Sequence, residues 1–160
     1  MRSASLKTRA NNHRMADLLV PQADLLVEEL VARALTAQRL IEGWSEARID
    51  QLLHALAQTI ADHAEELAVA TVNETHIGNV RDKTLKNRLA SLGVWQQLAG
   101  QAAQGTLSYD AERLVAEVAS PVGVVVGLLP VTHPVATFIF KTLIAIKGRN
   151  ALILSPSSRA

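Results

Sequence analysis

Apolar residues recur at helical spacing through the first two thirds of the chain and gather into unbroken runs in the last third. From about Ala23, residues Leu26, Leu30, Ala34 and Ile41 fall near one stripe, with Glu28, Glu29, Arg33 and Arg39 left for solvent. That pattern predicts an amphipathic helix. Gly43 closes it, and Trp44 is placed to pack as a staple against the next helix. Ser45 is a good N-cap there, with Glu46 favourable in the first turn. Ile49, Leu52, Leu53, Leu56, Ile60, Ala64 and Leu67 follow at spacings of three and four, and the helix runs to Asn73 with a kink or break at Asp62-His63. Gly78 ends the pattern. Another helix starts near Val80, with Leu85, Leu89, Leu92, Trp95 and Leu98 predicted to face inward. Asp82 and Lys86 form an i, i+4 pair worth about 0.3–0.5 kcal/mol. Gly93 is a weak point, because an interior glycine costs about 1 kcal/mol against alanine.

The period then changes. Residues 100–112, GQAAQGTLSYDAE, read as a loop, and Arg113 to Ser120 alternates like a strand until Pro121. Val122 to Leu129 has no polar member at either parity, the habit of a central parallel strand covered on both faces. A helix is predicted from about Pro134 to Lys147. Gly148 and Asn150 break it, and a second apolar run, Ala151 to Leu154, stops at Ser155-Pro156. Strand, helix and strand at this spacing make one βαβ unit. Open α/β sheets hold ligands at the carboxyl ends of their strands, here Pro130 to His133 and Ser155 to Ser158. Gly123 and Gly127 remove side chains where a helix or ligand approaches. Thr132 or His133 can cap the helix, and Pro134 suits its first turn. The free N–H groups at that helix start suit a phosphate or a developing oxyanion.

Composition narrows the function classes. A hydrophobic content of 49% with 19% charged residues marks a folded globular chain. A formal charge of +1 gives no field that would collect nucleic acid or anionic membrane. Aromatics at 3% leave no stacking platform for single strands. The chain has no cysteine, which excludes disulfides, thiolate metal sites and cysteine nucleophiles within it and fits a reducing, cytoplasmic setting. No stretch reaches the roughly 18 apolar residues of a membrane span. Residues 1–20 lack a secretory core and read as an unstructured tail, with Met15 a natural start. His54 and His63 have no partner at i+3 or i+4, so no metal site is predicted. The G-x-G-x-x-G fingerprint is absent. Lys141 and Lys147 could reach phosphates, although such charges are usually solvated. His133 sits in the crevice loop without a carboxylate or nucleophile placed beside it, and capping or packing is its commoner role.

Several stretches together resemble a known family. They are Glu74-Thr75-x-x-Gly78, DKTLKN at Asp82 to Asn87, PVGVVVGLLPVTHP at Pro121 to Pro134, and IFKTLIAIKGRNALILSPSSRA at Ile139 to Ala160. In this order and spacing, from about Ala32 to Ala160, the chain resembles the N-terminal part of aldehyde dehydrogenases. It is most similar to the CoA-acylating branch, which includes the acetaldehyde dehydrogenase half of bifunctional aldehyde–alcohol dehydrogenases. Ordinary members usually carry Pro-Trp-Asn-x-Pro in the crevice loop and a lysine after the next strand. The acylating branch has Pro-x-Thr-Asn-Pro and Ser-Pro, matching Pro130 to Pro134 and Ser155-Pro156 except that His133 replaces the asparagine.

The resemblance implies an α/β fold in which N-terminal helices lead into the first βαβ unit of an aldehyde dehydrogenase-like parallel sheet. The implied parts are a tail (1–20), the helical part of the cofactor domain (21–112), an oligomerisation-type strand (113–120) and the βαβ unit (121–160). Two parallel strands cannot form a stable sheet buried on both faces, so an incomplete domain, the front of a larger protein, is expected; the alternative is an unusual small fold that completes its sheet by association. By analogy Leu129, Pro130, Val131 and Thr132 line the nicotinamide side of an NAD or NADP site, and Ser155, Pro156 and Ser157 meet the adenosine side. Ser157, Ser158 and Arg159 could accommodate a 2′-phosphate. Thr132 stands where relatives hold a group supporting the oxyanion. In the family reaction a cysteine attacks the aldehyde, hydride passes to NAD(P)+, and CoA releases the acyl group. The implied partners are a small aldehyde, CoA as co-substrate and further copies of the chain through 113–120. Without a cysteine, the 160 residues are expected to be inactive alone. The alternatives are a non-catalytic remnant that binds nucleotide weakly or joins full-length subunits, and a helical interaction module built on residues 23–100.

Overall fold

A computed structural model describes residues 24–158. The expected tail, the Met15 start and Arg159 lie outside the described residues. Helix α1 spans residues 24–42, followed by α2 (Glu46–Asp62), α3 (Ala64–Thr75), α4 (Val80–Arg88), a π-helical turn (Leu89–Gly93) and α5 (Val94–Leu98). Strands β1 (Gly105–Asp110) and β2 (Val115–Ala119) come next, then β3 (Val124–Leu129), α6 (Pro134–Lys147) and β4 (Ala151–Pro156). The architecture is α/β, with helices leading into a βαβ unit.

Local chemistry explains the helix limits. Ser45 Oγ accepts the Arg48 N–H at 3.3 Å, capping α2. His63 falls out of helical geometry and separates α2 from α3. His76 ends α3 in the left-handed region (φ 55°), its N–H donating to the Val72 carbonyl at 2.8 Å, and Gly78 follows at φ 78°. Asn79 Oδ1 accepts the Asp82 N–H at 2.9 Å and caps α4. Ile49, Leu53 and Ala57 of α2 meet Ile139 and Leu143 of α6 in the core, with Trp44, Leu92, Trp95 and Leu98 packed around them.

The α4 face is not the predicted one. Leu85 and Leu89 are 69% and 66% exposed, whereas Lys83, Asn87 and Ser91 are buried. Asn87 Nδ2 donates to the Ala64 carbonyl at 3.1 Å, and Ser91 Oγ to the Asn87 carbonyl at 2.8 Å. The π turn supplies the reason. It inserts an extra residue into the helix, so the face presented before Leu89 and the face presented after Gly93 are out of phase. Leu92, Trp95 and Leu98 reach the core as expected; Leu85 and Leu89 do not. Asp82 forms no ion pair with Lys86; its Oδ2 instead accepts from Asn79 Nδ2 at 2.7 Å.

Residues 105–110, within the predicted loop, form a strand. β1 pairs antiparallel with β2, Gly105 opposite Ala119 and Asp110 opposite Val115, with a register shift between Thr106 and Ser108. Asp110 Oδ1 accepts the N–H groups of Glu112 and Arg113 in the turn, both at 3.0 Å. The hairpin stands almost wholly exposed. β3 and β4 pair in parallel, Val124 opposite Ala151 through Leu129 opposite Pro156. α6 covers the face carrying Val125 and Gly127; Val126 and Leu128 on the opposite face are exposed, so the strand is not buried on both sides. Asn150 joins the strand starts, its Oδ1 accepting the N–H groups of Val122 (2.7 Å) and Gly123 (3.0 Å).

Lys147 is no solvated charge. Its Nζ lies 2.6 Å from Asp50 Oδ1 and 3.2 Å from Glu46 Oε2. Arg149, only 1% exposed and at φ 55°, donates from Nη2 to Glu46 Oε1 at 3.0 Å and from Nε to the Trp44 carbonyl at 3.1 Å. The same carboxylates accept the N–H groups of Gly100 (2.9 Å) and Ala103 (3.0 Å), tying the approach to β1 onto α2. Burial raises the Glu46 and Asp50 carboxyls, but these hydrogen bonds and the Lys147 and Arg149 charges outweigh it and hold both below the usual carboxylate range.

Candidate functional site

The two loops predicted to hold a ligand lie side by side. Parallel register places Leu128 opposite Ser155 and Leu129 opposite Pro156. The chain then closes the gap with a hydrogen bond from the Ser157 N–H to the Leu129 carbonyl at 3.1 Å. Leu129, Pro130 and Val131 are half-buried beneath an exposed rim of Thr132, His133, Ser155 and Pro156. All seven residues singled out from the sequence therefore lie in the loops or strand ends at the carboxyl edge of one sheet.

His133 is the N-cap residue of α6, but neither its side chain nor that of Thr132 caps the helix. The predicted capping role is replaced by a contact between the two: Thr132 Oγ1 and His133 Nδ1 lie 2.7 Å apart. The Thr132 hydroxyl can thus either give its proton to an unprotonated Nδ1 or accept one from Nδ1–H. Only the second arrangement leaves the hydroxyl proton free for another acceptor.

A residue that pattern reasoning missed holds the loop from behind. Lys83 Nζ donates to the Thr132 carbonyl at 2.7 Å. Its stem passes over Gly78, where an added Cβ would come 3.3 Å from Lys83 Cε. Burial, then the charge of Lys86, push the Lys83 ammonium below its ordinary range. Partial desolvation and the charges of Lys86 and Lys83 likewise hold the His133 imidazole below its usual value. The signal available in sequence was the DKTLKN stretch, which quotes Lys83 and Lys86. In the fold Lys83 takes the interior position that helical periodicity gives to Leu85.

Exposed residues bearing hydroxyls, Thr132 and Ser155, stand at adjacent strand ends, where they could hydrogen-bond a polar ligand. Among the described residues no group of three His, Cys, Asp or Glu side chains could hold a metal, and no helix is long and apolar enough to cross a membrane.

The sequence profile of the aldehyde dehydrogenase family matches residues 9–160. The chain is 35% identical over 137 residues to the succinate-semialdehyde dehydrogenase (acetylating) of Clostridium kluyveri, covering 86% of this chain and 30% of that one. It is 36% identical over 166 residues to the sulfoacetaldehyde dehydrogenase (acylating) of Cupriavidus necator, covering 96% and 33%. The crystal structure of an acetylating aldehyde dehydrogenase from Geobacillus thermoglucosidasius superposes with a TM-score of 0.81 at 39% identity, covering 87% of this chain and 31% of that one. The chain spans about a third of the length of these relatives.

Proposed function

The chain belongs to the aldehyde dehydrogenase family, and we propose that it supplies the first half of the cofactor site of a CoA-acylating member. The reaction of the whole protein is then aldehyde + CoA + NAD(P)+ to acyl-CoA + NAD(P)H. The observation that carries this reading is the junction of Pro130-Val131-Thr132-His133-Pro134 with Ser155-Pro156 at the carboxyl ends of β3 and β4. Its partner is the likeness to relatives named as acylating or acetylating enzymes.

In this proposal Leu129 to Thr132 hold the nicotinamide side and Ser155 to Ser157 the adenosine side. Bound NAD(P)+ supplies the hydride acceptor. Thr132 donates its hydroxyl proton to the oxyanion formed when the aldehyde is attacked, which requires His133 to carry a proton on Nδ1. Lys83 fixes the loop by gripping the Thr132 carbonyl. The nucleophilic thiolate must come from outside these residues, because they contain no cysteine. The exposed β1–β2 hairpin, with Tyr109, Val115 and Val118 at its surface, supports the assignment of residues 113–120 to association between copies. The proposed substrate is a small aldehyde.

Calorimetric titration of the 160-residue chain with NAD+ and with NADP+ tests the cofactor half. Saturable heat with either nucleotide is expected, and none with either would overturn the reading. Mixed with aldehyde, CoA and NAD(P)+, the chain should make no NAD(P)H; sustained production would refute its dependence on an external thiol.

A further inference from the structure

Beside the Thr132 loop, positive charge is gathered and left unneutralised. Among the described residues, ion pairs engage Arg113, Lys147 and Arg149, and none reaches Lys83, Lys86 or Lys141. Lys83 is the sharpest case. It is 8% exposed, and its ammonium makes one hydrogen bond, to the neutral Thr132 carbonyl. A cation taken out of water without a counter-charge is unfavourable, and proteins usually pair it.

A cavity of about 280 Å³ opens at this point, lined by Gly78, Asn79, Asp82, Lys86, Thr132 and His133 together with Lys83. Asp82 brings the cavity's one carboxylate, but it is turned to the helix cap: Oδ2 accepts from Asn79 Nδ2 at 2.7 Å. It neutralises neither lysine at salt-bridge distance. Lys86 and Lys83 both act on His133 as like charges. The cavity lies just under the roughly 300–1,000 Å³ of sites that enclose a whole drug-sized ligand. Its size suits a headgroup and not a dinucleotide. Lys86 and His133 also border a neighbouring apolar cleft with Leu89, Val94 and Phe140, where the uncharged body of such a ligand could lie.

We propose that this cavity is an anion subsite that takes a single carboxylate, sulfonate or phosphate group, held by Lys83 and Lys86 with His133 at the rim. The group is either the acidic tail of an aldehyde substrate or a phosphate of the nucleotide or CoA. The assignment of a ligand to the subsite rests on the proposed function; the subsite itself rests on the charges and the cavity.

The test is a titration of the 160-residue chain followed by the His133 imidazole signals in NMR, assigned with His133→Gln. Succinate, sulfoacetate and inorganic phosphate are added at ionic strength matched with chloride. A saturable shift is expected, about tenfold weaker in Lys83→Met and in Lys86→Met, the loss of one charge-assisted hydrogen bond. Lys86 is exposed, so its variant remains informative if Lys83→Met folds poorly. Saturation by succinate or sulfoacetate identifies a substrate tail; saturation by phosphate alone identifies a cofactor phosphate. A shift that never saturates, or one that both lysine variants leave unchanged, would overturn the subsite. NAD+ binding with no anion response would refute the subsite and leave the cofactor reading intact. Anion binding with no NAD(P) response would do the reverse.

Discussion

The fold buries positive charge in two places and treats it in opposite ways. At the C-terminus of α6, Lys147 and Arg149 are met by Asp50 and Glu46 within 3.2 Å, and the same side chains also hold backbone groups of Gly100, Ala103 and Trp44. At the N-terminus of α6, Lys83 is also buried yet meets only a carbonyl, with Lys86 adding charge of the same sign beside His133. The first arrangement joins α2, α6 and the segment leading to β1. The second faces a cavity at the loop where a ligand is expected. A buried charge completed by its own chain is a structural clasp, whereas one left incomplete beside a cavity is an interaction held for something else.

The largest effect should come from breaking the clasp. Asp50→Ala removes the 2.6 Å partner of a buried Lys147 and the acceptor of the Gly100 N–H. Loss of about 3 kcal/mol is expected from urea unfolding, in the range for removing one partner of a buried pair. Gly127→Ala strikes between the two regions. An added Cβ would lie 2.8 Å from Leu154 Cδ2 and 3.1 Å from Lys141 Cδ. It should lower stability by about 1–3 kcal/mol through overpacking in the contact of α6 with the sheet, read in the same assay.

Acid should separate the regions by pH. Folding lowers the Glu46 and Asp50 pKa values, so their contribution is complete above the ordinary carboxylate range, about 4, and is lost as pH falls through the lower folded values. Folding also lowers the His133 pKa, but for a base this favours the neutral form. The unfolded chain then takes up a proton that the folded one resists, and stability falls as pH drops through about 6.5. The charged groups around His133 are Lys83, Lys86 and Asp82 on one side and Lys141 of α6 on the other. Thermal melts between pH 8 and 3 should therefore show two declines, and His133→Gln should remove the upper one.

Much of this was legible in the sequence because it depends on neighbours in the chain. Ser45 caps α2, His63 interrupts the helical run, and the spacing from Val122 to Pro156 gives strand, helix and strand. What was not legible depends on partners far away. β1 is polar and exposed, and its strand character comes from pairing with β2. The inward face of α4 depends on the π turn at Leu89–Gly93, which breaks the period used to assign it. Lys147 reads as a surface charge until Asp50 and Glu46, about a hundred positions earlier, are brought to it. Lys83 was hidden for the same reason: only the fold brings the Thr132 carbonyl to it.

The most direct test of the contrast between clasp and open site is the unfolding free energy of Lys83→Met beside the wild-type chain in urea. Methionine keeps most of the volume and removes the unneutralised charge, so stability should hold or rise by about 1 kcal/mol. A loss as large as that of Asp50→Ala would mean that Lys83 is as structural as Lys147, and would contradict the account.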